Sequence, residues 1–207
     1  MKLHSRIFGW KQVWFEFSEE FNAQIDDPNP DSSTSKLTMS MPIDGTDWEL
    51  LYTMVPGDDK LKSDQHTTVE TSIIGTDDFK FALYPESWYH GLHKLLGVQD
   101  IVVGHEDFDK AFMIKGSDEA KVKALFDDAV LRKLFLEEPQ MQYWVSVEHQ
   151  EAMPTRKSLR EGQNKLLSLR VKGAVDDFER LKTFYKLKHR ILAQLTRLGV
   201  CQAATKS

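Results

Sequence analysis

Leu181, Phe184, Leu187, Ile191, Leu195 and Leu198 recur at three- and four-residue steps near the end of the chain. That spacing puts all six on one face of a long helix over about 175–198, and Gly199 supplies a stop. A helix with one continuous apolar face needs a matching apolar surface to cover it, so this element constrains everything before it. Ile7, Trp10, Trp14, Phe17, Phe21 and Ile25 repeat the pattern at the other end and predict a second amphipathic helix over about 4–24.

Between the two helices the period shortens. Asp26-Asp27-Pro28-Asn29-Pro30-Asp31-Ser32-Ser33 breaks the first helix and predicts an exposed, flexible loop over about 26–35. Leu37, Met39, Met41 and Ile43 then alternate with polar residues, and 48–55 is a second apolar run across Asp44-Gly45-Thr46-Asp47, which reads as a β-hairpin. The runs 66–74 and 79–84, joined by Gly75-Thr76-Asp77-Asp78, read as a second hairpin. Further short strands are expected at 101–103, 111–115, 141–148 and 165–171. Short helices are expected after Pro85-Glu86-Ser87 and after Ser117-Asp118-Glu119, with another turn or two up to Pro139. The expected fold class is therefore α+β, one domain over 1–207. An antiparallel sheet fills about 36–171, and amphipathic helices at both termini pack on it.

Composition agrees with one packed core. Hydrophobic residues make up 41% and charged residues 29% of 207 positions, enough apolar material to offset chain entropy. The net charge of −5 disfavours broad attraction to phosphate backbones, so no nucleic-acid partner is expected. No run of about 18 apolar residues occurs, and the N-terminal apolar run is broken by Lys11 and Glu16. With a single cysteine, Cys201, the expectation is a soluble cytoplasmic protein with no integral membrane segment.

Chemistry-bearing motifs are sparse. His90 and His93 stand three apart, with His105 and Glu106 downstream, and are the candidates for a metal site. Gly91 between them weakens a helix, and no recognised spacing fixes a third ligand, so no metal and no cofactor are expected. Acidic pairs such as Asp77/Asp78 and Asp127/Asp128 fall at turns or helix starts, where carboxylates stabilise local structure. No Gly-x-Ser-x-Gly elbow and no glycine-rich phosphate loop is present. Lys182, Lys186, Lys188, Arg190 and Arg197 form a basic sector on the last helix that reads as its solvated face.

The stretch Leu96-Gly97-Val98-Gln99-Asp100-Ile101-Val102-Val103-Gly104, continued by Phe108-Asp109-Lys110-Ala111-Phe112-Met113-Ile114-Lys115-Gly116-Ser117-Asp118, resembles the central signature of a family of uncharacterised bacterial proteins. The resemblance implies a bacterial protein and carries over no activity, cofactor or catalytic residue. Physically, Phe108, Phe112 and Ile114 read as buried anchors, Asp109 as an acceptor for backbone N–H groups in a turn, and Gly116 as a special conformation before Ser117 or Asp118 caps a helix. A functional site on Asp100, Asp109 and Lys115 is the competing reading.

The leading expectation is a non-catalytic binding or protein-interaction domain, forming a homodimer or meeting a protein partner through a terminal helix. The alternatives are a metal-assisted hydrolase using His90, His93 and a carboxylate such as Asp100 or Glu106, and a peripheral membrane protein attached by its N-terminal helix.

Overall fold

A computed structural model describes residues 9–32, 35–57, 64–85, 99–137, 143–149 and 165–202. In chain order these form α1 (Gly9–Glu20), β1 (Gln24–Asp26), β2 (Leu37–Pro42), β3 (Glu49–Val55), β4 (His66–Ile73), β5 (Phe81–Pro85), β6 (Gln99–Asp100) and α2 (Glu106–Ala111). Then follow β7 (Phe112–Gly116), α3 (Glu119–Phe126), α4 (Ala129–Leu136), β8 (Tyr143–His149), β9 (Lys165–Lys172) and α5 (Phe178–Arg197). The architecture is α+β: the strands join one antiparallel sheet in the order β1-β2-β3-β4-β9-β8-β5-β7-β6.

Strand alternation selects the core face. Met39, Met41, Leu50, Tyr52, Val69, Leu167 and Leu169 are buried in one cluster with Leu181, Phe184, Leu187, Ile191 and Leu195 of α5. Trp14 and Phe17 of α1 enter the same cluster. Trp14 Nε1 donates to the Val175 carbonyl at 2.9 Å and Tyr52 Oη to the Leu181 carbonyl at 3.3 Å, so these aromatics bury area without orphaning their polar ends. Asp177 caps α5 through the Arg180 N–H, and Gly199, at φ 68°, ends it in the left-handed region.

Several local expectations are corrected. The first helix stops at Glu20 rather than Gln24, because Asn22 takes φ 49° and Gln24–Asp26 pairs with β2 as an edge strand. Positions 4–8 of that helix lie outside the described residues. The segment after it is exposed at residues 28–31, as expected, and is tied to α1: Lys11 Nζ is buried against Asp27, 2.7 Å to Oδ2, and also donates to the Asn29 and Pro30 carbonyls and to Ser35 Oγ. The second hairpin does not form, since β4 lies between β3 and β9 while β5 lies between β8 and β7. After β4 the chain is diverted at Gly75, which bridges to Cys201 and lies flush against the Lys165 stem, where a Cβ would come within 2.5 Å of Cδ. The short strand at 101–103 falls earlier, at Gln99–Asp100, and Glu106–Ala111 forms a helix that the sequence reading did not include. The helix expected after Pro85 lies outside the described residues.

Lys188 is the correction with the most physical content. It belongs not to the solvated basic sector but to the apolar stripe, four residues after Phe184 and three before Ile191, and it is fully buried. Its Nζ donates to the Leu167 carbonyl at 2.5 Å.

Candidate functional site

From Gln99 onward the central signature serves local structure, and Leu96-Gly97-Val98 lie outside the described residues. Asp109 accepts from the N–H groups of Val103, Gly104 and His105, each at 2.9 Å, so its carboxylate fixes the approach to α2. Phe108 and Phe112 pack at 5.0 Å between ring centroids, and Phe108 and Phe126 at 5.2 Å. Asp118 caps α3 through the Lys121 N–H at 3.0 Å. The requirement at Gly116 is space rather than a left-handed backbone: a Cβ there would meet Val122 Cγ2 at 2.6 Å and Ile101 Cδ1 at 3.0 Å. Replacing Asp109 by Ala orphans three backbone donors, and a loss of about 1–3 kcal/mol is expected in urea unfolding. A variant as stable as the wild type would return Asp109 to the functional candidates.

The proposed ligand carboxylates are separately engaged. Asp100 pairs with Lys115 at 3.4 Å on an exposed edge, and Glu106 with Lys110 at 2.6 Å on the surface of α2. His105 Nε2 lies 3.8 Å from Asp127. His90 and His93 lie outside the described residues. Among the described residues no group of three His, Cys, Asp or Glu side chains is arranged to hold a metal ion. Two members of the basic sector of α5 are answered by carboxylates of the fold, Lys182 by Glu20 and Arg190 by Asp128.

A different cluster emerges on the sheet face turned away from the helical core. Antiparallel register sets Thr53 opposite Thr68, Thr68 opposite Arg170, and Glu70 opposite Ser168, so β3, β4 and β9 bring these polar residues to one face. Thr53, Thr68 and Glu70 are buried, at 3, 9 and 5% exposure, where a strand beside water would leave its polar face open. Ser168 Oγ donates to Glu70 Oε1 at 3.5 Å. Among the described residues Thr68 Oγ1 is buried without a hydrogen-bond partner, as is Thr71 Oγ1 on the other face of β4, a cost of about 1–3 kcal/mol each; the Thr68 hydroxyl is the one that stands beside a guanidinium.

At one end of this face His66 Nδ1 lies 2.9 Å from the Asp64 carbonyl and 3.3 Å from Arg170 Nη2. Burial, then the neighbouring guanidinium, lower the His66 pKa against the raising effect of the Asp64 carbonyl. Burial likewise lowers that of Arg170. Sequence reading passed over this cluster because 66–74 reads as an ordinary Thr- and Val-rich strand. The available signal was polar residues at alternate positions, His66, Thr68, Glu70 and Ser72, and again at Ser168, Arg170 and Lys172.

No family model matches the chain, and no curated protein matches it. Among solved structures the fold is similar to the crystal structure of the mycobacterial trehalose monomycolate transport factor A, TtfA. The likeness has a TM-score of 0.56 at 6% identity and covers 90% of this chain and 94% of that one. At that identity it establishes a common fold, and the transport role belongs to the neighbour.

Proposed function

We propose that this chain is a non-catalytic binding domain of a soluble, cytoplasmic bacterial protein, and that its binding surface is the polar face of β3, β4 and β9. The observation that carries this reading is the Thr68 hydroxyl, buried and, among the described residues, without a hydrogen-bond partner beside Arg170 and Glu70. A ligand with complementary polar groups removes that cost, which gives the sequence a reason to retain it. The separate engagement of Asp100, Glu106, Asp109 and His105 leaves the hydrolase reading without support from the described residues. Binding through terminal helices has less support than binding through the sheet, since Trp14, Phe17 and the apolar stripe of α5 are buried internally, which leaves the exposed Phe15 of α1 as its support.

Native mass spectrometry of protein purified without added metal tests the reading. A bound small molecule that is released on denaturation and missing from Thr68→Val is the expected result. Hydrolytic turnover that disappears in His90→Ala or His93→Ala would overturn it.

A further inference from the structure

The structure assigns Arg170 and Thr68 as a subsite for a carboxylate group, an inference that rests on the binding reading above and names the ligand chemistry. The two residues are paired across β9 and β4, so guanidinium and hydroxyl issue from neighbouring points of the same sheet face. Arg170 is half-buried, and a guanidinium carries five N–H donors in a planar fork. Among the described residues its hydrogen bond goes to His66 Nδ1 at 3.3 Å, a nitrogen that also lies 2.9 Å from the Asp64 carbonyl. One ring nitrogen cannot accept from the guanidinium and donate to the carbonyl at once, so Arg170 holds this acceptor in competition.

Asp64 does not answer the charge directly: it acts on Arg170 through space and is ion-paired with Lys172 at 3.4 Å. The Thr68 hydroxyl, buried and unpartnered among the described residues, adds a further donor beside the fork. A planar carboxylate accepts two parallel N–H bonds from such a fork and leaves lone pairs for the hydroxyl. Glu70, two residues along β4 on the same face, adds negative charge close by and disfavours a doubly charged phosphate.

The test uses the full chain labelled with 15N, following arginine side-chain resonances during titration with acetate at constant ionic strength, with chloride as the reference anion. Saturable movement of the Arg170 signal by acetate is expected, with dissociation weakened about tenfold or more in Arg170→Gln. Thr68→Val is expected to weaken it in the same direction, and the exposed Lys172→Gln to leave it within about twofold. Indistinguishable effects of acetate and chloride would overturn the proposal. So would undiminished acetate binding in Thr68→Val, which serves if Arg170→Gln does not fold. Inorganic phosphate binding more tightly than acetate would overturn the carboxylate assignment. Failure here with a bound molecule still released from the purified protein sinks this inference and leaves the binding reading standing.

Discussion

Replacing Lys11 by Met lowers the unfolding free energy by about 3–5 kcal/mol, the usual cost of removing one partner from a buried ion pair. Lys11 and Asp27 have side-chain exposures of 4 and 5%, so the carboxylate left behind has little water to replace the ammonium. The Asn29 and Pro30 carbonyls and Ser35 Oγ lose the same donor. Because these groups lie between α1 and β2, the loss frees Asp27, Asn29, Pro30 and Ser35 from the helix as well as leaving a charge unpaired. Urea unfolding of the single variant, and of Lys11→Met combined with Asp27→Leu, checks the argument. The double variant should regain part of the loss, since an apolar pair replaces an ion pair at little net cost. A single-variant loss under about 1 kcal/mol would mean that the pair is effectively solvated.

Lys188→Met is expected to do the opposite and stabilise the fold by about 1–4 kcal/mol. The ammonium is fully buried and its hydrogen bond goes to one backbone carbonyl, that of Leu167. Burial drives its pKa well below 10.5, and through-space attraction from Glu70 offsets only part of that. The unfolded chain therefore binds this proton more tightly than the folded one. Stability rises as pH climbs from the depressed folded-state value toward 10.5, and below that window the full penalty is present. Met fills a similar volume with no charge to desolvate, so the variant should gain most at neutral pH and lose the alkaline rise. Thermal unfolding across neutral to alkaline pH measures both. A Met variant less stable than the wild type, or one with an unchanged pH profile, would show that the amine has better partners than Leu167.

The two lysines show what periodicity conveys and what it misses. The α5 stripe was legible because six apolar side chains at helical steps have one physical reading. The same spacing contained Lys188, which its charge alone assigned to solvent. Lys11 likewise read as an interruption in an apolar run, since nothing local to 9–20 reveals that Asp27 will return to meet it. The hairpin of β2 and β3 was legible because its partner lies across a four-residue turn. The pairing of β4 was not, because its second neighbour is β9, and neither strand carries a local mark of the other. The polar site inherits that difficulty. Thr68 and Arg170 become neighbours only through a register that joins distant parts of the chain, whereas Asp109 and Asp118 act within a few residues and could be read directly.

The placement of β9 between β4 and β8 also sets a timetable for biosynthesis. β1 to β4 are complete by Ile73, yet the strand that covers the open side of β4 starts at Lys165. At roughly 5–20 residues per second, a ribosome needs on the order of 5–20 s to make the intervening segment. Through that interval the nascent four-stranded ribbon exposes the hydrogen-bonding groups of an eight-residue strand. β9, which closes that edge, and α5, which covers the apolar face, follow one another closely in the chain, so the two gaps are filled together in one late step rather than strand by strand.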